Sequence, residues 1–488
     1  MPKSFDSAQG KPFYLTTTLP YVNADPHIGF ALEIVQADIL ARYRAFLGDD
    51  VFFNTGTDEH GLKIHRNAIA AGKDTQEYVD GFAKRFQELK EKLNLFRGLH
   101  FIRTTDTHHK RAAQEFWRLC EKNGDVYKKT YQVKYCVGCE LEKTDSELVN
   151  GKCPIHPNLE IEMIDEENYF FKFSGYRERL IEMYAARPDF VVPDFRFNEI
   201  KAFVERGLED FSISRLKSKM PWGVEVPGDT TQVMYVWFDA LVNYVSTLGW
   251  PEDTDNFEKF WGSVGAPNAI QVAGKDNLRQ QSAMWQAMLM SAGLPSTKQI
   301  VIHGFITSGG QKMSKSLGNV INPMDIAEEY GVDALRIFLA RHIHSFEDSD
   351  FTMEKFKESY NADLANGIGN LAARIMTLAE TNLDNPTARP ESKSFVSGYT
   401  QALEKYEYNA AADYIWERIK MLDGKLTTEK PFSVVKTDKE KGNTIITECV
   451  EELYLIACLL QPFMPTTSDT IKRAVLENKK PPNLFPRK

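Results

Sequence analysis

The chain has 488 residues, of which 42% are hydrophobic and 26% are charged, and this length exceeds what one hydrophobic core organises, so we expect two to four domains. The formal net charge of −9 argues against sequence-blind binding of nucleic acid, although basic residues gathered on one face could still bind an RNA. Because there is neither a long apolar run nor an apolar signal core, the sequence predicts a cytoplasmic protein without a membrane partner.

Short apolar runs alternate with helical patterns between residue 12 and about residue 105. The runs Phe13–Thr16, Val51–Asn54 and His100–Arg103 predict strands of a parallel α/β sheet. Further strands are expected later in the chain, at 231–236, 269–272 and 299–302. The sequence therefore predicts one parallel sheet split by an insertion at about 106–230.

The segment Thr16–Phe30 is typical of a strand, a loop and the start of a helix. His27 and Gly29 fall at the helix start, where backbone N–H groups and the helix dipole favour an anion. Taken alone, the histidine is better explained by a capping or core role. An anion-binding role for this segment is favoured only in combination with a lysine motif further along the chain.

Four soft ligands occur in two short turns inside the insertion. Cys136 and Cys139 are followed after thirteen residues by Cys153 and His156, which gives a Cys₃His set suited to tetrahedral Zn²⁺. A redox Cys-x-x-Cys pair is the alternative, but it would leave the second half-site unexplained. The pattern predicts one structural zinc with no open position for a catalytic water.

The segment Lys312-Met313-Ser314-Lys315-Ser316 follows the glycine pair at 309–310. Two lysines three residues apart on a serine-containing loop are suited to binding a polyphosphate. The alternative is a solvated Lys/Ser turn.

From about residue 358 the pattern is wholly helical. Apolar residues recur at three- and four-residue spacings over 360–378, 396–407, 410–427 and 444–460, which predicts a helix bundle. Residues 472–488 hold six Lys or Arg side chains, and this tail is either a phosphate contact or a solvating terminus.

The histidine and lysine motifs together resemble the two nucleotide-binding signatures of class I aminoacyl-tRNA synthetases. The segments between them are similar to the methionyl-tRNA synthetase family. They are Leu19-Pro20-Tyr21, Gly56-Thr57-Asp58-Glu59-His60-Gly61, Ile213-Ser214-Arg215, Tyr235-Val236-Trp237-Phe238-Asp239-Ala240 and Gly274-Lys275-Asp276. The resemblance runs in order from about residue 12 to residue 460.

The resemblance implies an α/β fold in which a Rossmann-like parallel sheet is split by a zinc-knuckle insertion and followed by an all-α anticodon-binding bundle. The expected domains are the first catalytic half at 1–105, the insertion at 106–230 with its knuckle at 136–156, the second catalytic half at 231–305, the signature loop and stem-contact region at 306–357, and the anticodon domain at 358–488.

The implied reaction activates L-methionine with ATP and transfers it to the 3′ end of tRNA(Met). By resemblance, the catalytic residues are His27, Lys312, Lys315 and Arg215, while ATP is bound by His27, Gly29, Phe30, Asp276, Lys312 and Lys315. Mg²⁺ is expected with ATP. Phe30 departs from the family, because that position is often a histidine or asparagine that can form a hydrogen bond.

The methionine site implied by the family consists of Leu19, Tyr21, Asp58, Trp237, Ala240, Tyr244 and Gln281. Aromatic walls suit an unbranched thioether, because sulfur is polarisable and packs well against ring edges. Two positions depart from the family, since Gln281 stands where histidine is usual and Leu241 where some members have proline.

The anticodon contacts implied by the family are Asn370, Arg374 and Phe432, where Phe432 replaces a tryptophan but keeps a face on which a base can stack. A monomer is expected, since the appended domain by which some members dimerise is missing from the sequence. Two alternatives stay open: a synthetase for another amino acid, and a tRNA-binding paralogue without catalysis.

Overall fold

The computed structural model describes residues 10–139, 141–143, 147–313, 319–387 and 397–488, with only the backbone for residues 131, 133, 141, 142, 164–166 and 312. The chain divides into two compact units. The first comprises the residues up to 26 together with 48–90 and 97–302, and the second comprises 27–47, 91–96 and 303–488.

A parallel sheet forms the centre of the first unit. The strands of this unit are β1 (Pro12–Thr17), β2 (Asp50–Thr57), β3 (Leu99–Arg103), β4 (Val126–Cys136), β5 (Leu141–Glu142), β6 (Glu162–Phe171), β7 (Val191–Val192), β8 (Phe211–Ser212), β9 (Ser214–Leu216), β10 (Glu225–Val226), β11 (Asp229–Met234), β12 (Gly262–Ser263), β13 (Ala266–Pro267), β14 (Ala269–Gly274) and β15 (Gln299–His303). The central sheet has the order β3-β2-β1-β14-β15-β7. Strand β1 pairs in parallel with both β2 and β14.

The prediction of a split parallel sheet is confirmed, with one strand assigned wrongly. The run at 231–236 does not join the central sheet, because β11 pairs antiparallel with β9 and β10. Gly228 has φ 78° in the tight connection between β10 and β11, and this turn reverses the chain. The sixth strand of the central sheet is instead the two-residue β7, which lies inside the expected insertion.

Helices cover the sheet of the first unit. They are α2 (Leu62–Ala70), α3 (Thr75–Lys92), α4 (Thr107–Lys122), α5 (Arg177–Ala186), α6 (Asp194–Glu205), α7 (Val236–Leu241), α8 (Asn243–Ser246), α9 (Thr254–Trp261) and α10 (Trp285–Ala292), with 3₁₀ turns at Phe173–Tyr176 and Lys275–Asn277 and a π-helix at Gln280–Met284. Its core is rich in aromatic rings: Phe116 stacks on Trp285 with ring centroids 5.5 Å apart, and Trp117 meets Phe238 edge to face at 5.3 Å.

The second unit is mostly helical. Its strands are β16 (Ile306–Ser308), β17 (Gln311–Lys312) and β18 (Ser349–Phe351). Its helices are α1 (Ile28–Phe46), α11 (Pro323–Tyr330), α12 (Val332–Arg341), α13 (Met353–Ser359), α14 (Asn370–Asn382), α15 (Ser397–Glu404), α16 (Tyr408–Glu429), α17 (Pro431–Thr437), α18 (Lys439–Leu460) and α19 (Pro465–Glu477), and a π-helical stretch (Tyr360–Gly369) precedes α14. The predicted C-terminal bundle is confirmed. Among the described residues, no helix combines the length and the apolar character needed to cross a bilayer.

One fully buried arginine joins distant segments of the second unit. Arg336 of α12 donates to Asp38 Oδ2 at 2.7 Å and to three backbone carbonyl oxygens, those of Leu93, Pro462 and Phe463, at 3.3, 2.8 and 3.0 Å. Burying a guanidinium is costly unless its donors are satisfied, and here the carboxylate and the carbonyls satisfy them.

Candidate functional site

The loops that follow β1, β2 and β14 leave the same edge of the central sheet. The chain runs from β1 to β2 and β3 on one side, whereas β14 and β15 lie on the other, so β1 and β14 flank the point where the strand order reverses. Open α/β sheets bind ligands at this point, beyond the carboxyl ends of the strands. Leu19 and Tyr21 follow β1, Asp58 follows β2 and Asp276 follows β14.

Tyr21 and Asp58 are held side by side by backbone hydrogen bonds. The Asp58 N–H donates to the Pro20 carbonyl oxygen at 3.0 Å, and the Val22 N–H donates to the Asp58 carbonyl oxygen at 3.1 Å. The Asp58 side chain is buried, whereas Leu19 and Tyr21 are half-buried. The pair thus presents a carboxylate and a phenol at the edge of the sheet.

A partly buried ion pair fixes the backbone beside Asp58. Both carboxylate oxygens of Glu59 accept from the guanidinium of Arg103, at 2.7 and 2.9 Å, and Thr57 Oγ1 donates to Glu59 at 2.6 Å. Two-point Arg–carboxylate pairs combine strength with a defined orientation. The neighbours of Asp58 in the chain are therefore held by side-chain bonds as well as by the sheet.

The expected aromatic wall lies on α7 and α8. Trp237 is half-buried, while Ala240 and Tyr244 are buried. Tyr14 Oη donates to the Tyr244 carbonyl oxygen at 2.7 Å, which ties α8 to strand β1.

Gln281 and Tyr244 meet inside the first unit. Gln281 Nε2 donates to Tyr244 Oη at 2.6 Å, and Gln281 is only 1% exposed. Its Oε1 atom is buried without a hydrogen-bond partner among the described residues. Gln281 belongs to the π-helix at 280–284, a distortion that often marks functional sites because it redirects side chains.

Two further expected residues of this unit have contrasting surroundings. Arg215 is 4% exposed, its Nη1 donates to Ser212 Oγ and to the Ser214 carbonyl oxygen at 2.7 Å each, and its guanidinium lies 4.4 Å from the centre of the Tyr235 ring. A surface salt bridge is thus not its environment. Asp276 is exposed, in the 3₁₀ turn directly after β14.

His27 caps α1 in the second unit. Its Nδ1 accepts the Gly29 N–H at 3.1 Å, and desolvation lowers the pKa of His27 below its usual value. A neutral ring whose Nδ1 accepts must carry its proton on Nε2, so Nε2–H is the donor available to a ligand. A Cβ at residue 29 would lie 3.0 Å from His27 Cε1, so a larger residue there would require the ring to shift. Phe30, in the next turn position, is half-buried.

The lysine motif begins in the second strand of a tight hairpin. Gly309 and Gly310 have φ of 61° and 74° between β16 and β17, and the Gly310 N–H donates to Asp350 Oδ1 at 2.8 Å. The backbone of Lys312 pairs with Thr307, whereas Lys315 lies outside the described residues.

The segment after the lysine motif contacts the helix that His27 caps. The Ile28 N–H donates to the Ile321 carbonyl oxygen at 3.1 Å. Ile321, nearly 300 residues further along the chain, therefore lies next to the start of the helix that His27 caps.

The expected metal ligands converge. One ligand atom from each of Cys136, Cys139, Cys153 and His156 lies within 4.8 Å of the others, with Cys139 Sγ 3.2 Å from His156 Nδ1. A Cβ at residue 138 would lie 2.4 Å from His156 Cγ, so only glycine lets the two turns approach. Three thiols and one imidazole at these spacings suit a tetrahedral metal ion.

The three residues expected to contact RNA line one cavity of about 360 Å³ in the second unit. Asn370 and Arg374 lie on α14, and Phe432 lies on α17 with 47% of its surface exposed. Arg374 Nη1 is paired with Asp423 Oδ1 at 2.5 Å. Lys480, from the basic tail, also lines the cavity, which favours the phosphate-contact interpretation of that tail.

Three buried side chains of the first unit were not singled out by the sequence analysis. Asp239 accepts hydrogen bonds from His60 and His109, and all three are buried. Burial opposes ionisation, but the two histidines lower the pKa of Asp239 to about 2. His60 and Asp239 lie inside two of the segments quoted above, whereas His109, within an ordinary amphipathic helix, carries no sequence signal.

Comparison with known proteins identifies the family to which this chain belongs. Residues 13–162 and 157–376 match the family profile of class I tRNA synthetases (M), and residues 385–484 match the anticodon-binding domain of methionyl tRNA ligase. The methionine–tRNA ligase of Thermotoga maritima is 40% identical over 96% of this chain and 76% of its own length. That of a Nostoc species is 40% identical over 94% of this chain and 89% of its own.

Solved structures agree with the sequence comparison. The Mycobacterium tuberculosis methionyl-tRNA synthetase in complex with methionyl-adenylate superposes with a TM-score of 0.87 at 33% identity, covering 98% of each chain. The free state of the same enzyme gives a TM-score of 0.81 at 30% identity, again over 98% of each chain.

Proposed function

Because this chain belongs to the methionyl-tRNA synthetase family, it is a methionine–tRNA ligase, and we propose how its residues divide the reaction. In the first step a carboxylate oxygen of methionine attacks the α-phosphorus of ATP, and pyrophosphate leaves. In the second step the 3′-terminal adenosine of tRNA takes the acyl group, and AMP leaves. Such phosphoryl chemistry depends on positioning and charge stabilisation, so the roles below are those of donors, acceptors and walls.

Asp58 binds the ammonium group of methionine. The support for this assignment is its position at the reversal point of the sheet, where the backbone bridge to Tyr21 and the Glu59–Arg103 pair hold it. An ammonium group in a partly desolvated site needs a fixed carboxylate. This relationship between Tyr21 and Asp58 is the observation that carries the proposed function.

The thioether lies against Leu19, Tyr21, Trp237 and Ala240, with the Tyr244–Gln281 pair at its end. The hydrogen bond from Gln281 Nε2 holds the Tyr244 hydroxyl in place as a polar group beside the sulfur. Glutamine thereby supplies the polar contact for which the family usually has histidine. Aromatic walls and a single weak donor favour methionine over charged or strongly polar side chains.

His27 and the two lysines act on the phosphates of ATP. Nε2–H of His27 donates to a phosphate oxygen as the five-coordinate centre forms, aided by the N-terminus of α1, where Gly29 and Phe30 lie. Lys312 and Lys315 neutralise the leaving pyrophosphate. Mg²⁺ enters as part of the ATP substrate.

Asp276 and Arg215 complete the set. Asp276, exposed at the end of β14, accepts hydrogen bonds from the ribose hydroxyls, a role that suits a carboxylate at this edge of an α/β sheet. Arg215 reaches the reacting groups from the inserted segment. Its guanidinium is buried over the ring of Tyr235, and this fixed position suits the binding of an anionic group.

Cys136, Cys139, Cys153 and His156 hold a structural Zn²⁺. With four protein ligands the ion has no position for a water molecule, so it stabilises the turns of the insertion and takes no part in the reaction. The close approach of Gly138 to His156 supports this fit.

The cavity lined by Asn370, Arg374 and Phe432 receives the anticodon of tRNA(Met). An exposed aromatic ring offers a stacking face, and the amide and guanidinium offer hydrogen bonds to base edges.

Amino-acid-dependent ATP–pyrophosphate exchange, measured with each of the twenty amino acids, tests the assignment. Exchange with methionine alone is the expected result. Exchange with a different amino acid would overturn the assigned pocket, and the absence of any exchange would overturn the assigned catalytic residues. Aminoacylation of a CAU-anticodon tRNA completes the test of the second step.

A further inference from the structure

A single buried carboxylate connects the two sides of the proposed methionine pocket. Asp239 lies in α7, between Trp237 and Ala240, and is fully buried. Its Oδ2 is 2.6 Å from Nδ1 of His60, which follows Asp58 by two residues. A hydrogen bond thus joins α7, which carries the proposed thioether wall, to the segment after β2, which carries Asp58.

The second oxygen of Asp239 is bonded to a different element. Oδ1 lies 2.8 Å from His109 Nε2 on α4, and His109 Nδ1 lies 2.8 Å from Ser246 Oγ on α8. One imidazole therefore bridges α7 and α8, the helix on which Tyr244 stands. All four side chains are buried.

Packing of the core does not require a buried carboxylate with two histidine partners. A buried carboxylate costs several kcal/mol in lost hydration, and apolar residues of similar volume usually stabilise a core at least as well. Hydrogen bonds to a carboxylate, unlike apolar contacts, fix both distance and direction. The network therefore suits a position where geometry matters more than stability.

Resting on the proposed function, we propose that Asp239 is a positioning residue, which through His60 and His109 sets the spacing between Asp58 and the wall formed by Trp237 and Ala240. In the proposed pocket, the bound amino acid spans this spacing from its ammonium group to its thioether. Asp239 itself does not touch the substrate. Its loss should thus affect methionine binding and leave ATP binding unchanged.

The test uses the full-length protein and methionine-dependent ATP–pyrophosphate exchange. Asp239→Asn keeps the size of the side chain but places an amide N–H₂ against one of the two imidazoles. The KM for methionine should rise about tenfold, with the KM for ATP within about twofold, because a small misplacement of binding groups is costly while the nucleotide contacts stay intact. His109→Gln, which leaves the His60 bond in place, should raise the methionine KM less and serves where Asp239→Asn folds poorly.

A matched control separates positioning from stability. Asp125 is a second carboxylate of the first unit that accepts several side-chain hydrogen bonds, because its Oδ2 accepts from Tyr176, Ser291 and Asn123 at 2.5, 2.7 and 2.7 Å. Asp125→Asn should lower the melting temperature without changing the methionine KM. If Asp239→Asn and His109→Gln behave like this control, the positioning role is wrong.

A double variant tests whether Asp239 acts through His60. Residues that act as one unit are not additive, so Asp239→Asn combined with His60→Asn should raise the methionine KM no more than about twofold beyond the larger single effect. If the two fold-changes in methionine KM multiply instead, Asp239 does not act through His60 and the proposal is wrong.

Two variants of the proposed pocket itself, Asp58→Ala and Trp237→Ala, separate this inference from the proposed function in the same assay. If neither variant raises the methionine KM, the proposed pocket is wrong. If both raise it and Asp239→Asn does not, only the positioning role of Asp239 is wrong.

Discussion

Gln281 and Tyr244 form a buried side-chain pair, with Gln281 Nε2 donating to Tyr244 Oη at 2.6 Å. The pair leaves Gln281 Oε1 without a hydrogen-bond partner among the described residues, and a buried oxygen without a partner lowers the free energy of unfolding. In the proposed pocket, the role of the pair is to hold the tyrosine hydroxyl in place.

Gln281→Leu should therefore weaken methionine binding without destabilising the fold. One lost hydrogen bond of about 1 kcal/mol raises the methionine KM by about fivefold, and removing the unsatisfied oxygen offsets the loss in the free energy of unfolding. Exchange kinetics and thermal melting measure the two effects. Gln281→His, which restores a donor, should stay within about threefold of the wild-type KM, and equal losses in both variants would contradict the role of the pair.

Lys315→Ala should lower kcat for adenylate formation with little change in the methionine KM. Removing a preorganised donor to developing charge costs about 2–4 kcal/mol of transition-state stabilisation. Single-turnover formation of methionyl-adenylate measures this loss. A raised methionine KM with an unchanged kcat would show that Lys315 contributes to methionine binding, and its assigned role at the leaving pyrophosphate would be wrong.

The pH dependence of the reaction tests the protonation state of His27. Because desolvation lowers the pKa of this imidazole below its usual value, the neutral form predominates above pH 6.5 and is lost as the pH falls through the lower folded value. The ratio of wild-type kcat to that of His27→Asn should thus be constant from about pH 7.5 to pH 8.5. A ratio that rises or falls with a midpoint inside this range would mean that the imidazolium is the active form.

Zinc content tests the Cys₃His site. We expect one equivalent of zinc per chain, and Cys153→Ser should lose it and melt the insertion, because metal binding and folding are coupled. Gly138→Ala is a sharper variant, since its methyl group would collide with the ring of His156 while all four ligands remain. Full zinc retention in Gly138→Ala by elemental analysis would contradict the observed close approach.

Phe432→Ala should act on tRNA alone. Stacking of a base on an aromatic ring is worth about 1–3 kcal/mol, so aminoacylation should fall by about one to two orders of magnitude while exchange without tRNA stays within about twofold. Phe195→Ala is the matched control, because Phe195 is 46% exposed and Phe432 is 47% exposed, yet Phe195 lies on α6 of the first unit. Equal losses in aminoacylation and exchange would mean that Phe432 stabilises the fold and does not contact the anticodon.

The sequence predicted those elements whose signal is local. Alternating apolar runs located β1, β2, β3, β14 and β15, and the spacing of Cys136, Cys139, Cys153 and His156 predicted the cluster that the structure forms. The roles assigned to the site residues stay predictions, although the structure brings Tyr21 next to Asp58 and Tyr244 next to Gln281.

Features that depend on distant partners were missed or misassigned. The run at 231–236 was predicted as a strand of the central sheet, whereas β11 pairs antiparallel with β9 and with β10, to which the turn at Gly228 connects it. Strand β7 has two residues, too few for any periodicity. The Asp239 network joins residues 60, 109 and 239, whose proximity no local pattern encodes.

Arg336 has a consequence for dissecting this enzyme. A fragment starting at residue 303 would contain the whole C-terminal bundle, yet it would lack Asp38 and the Leu93 carbonyl, which accept from this guanidinium. A buried charge that loses its counterion destabilises a fold by about 3–5 kcal/mol, a large share of the stability of one domain. Autonomous expression of the bundle therefore calls for replacing Arg336 with an apolar residue of similar volume, or for supplying residues 27–47 in the same polypeptide.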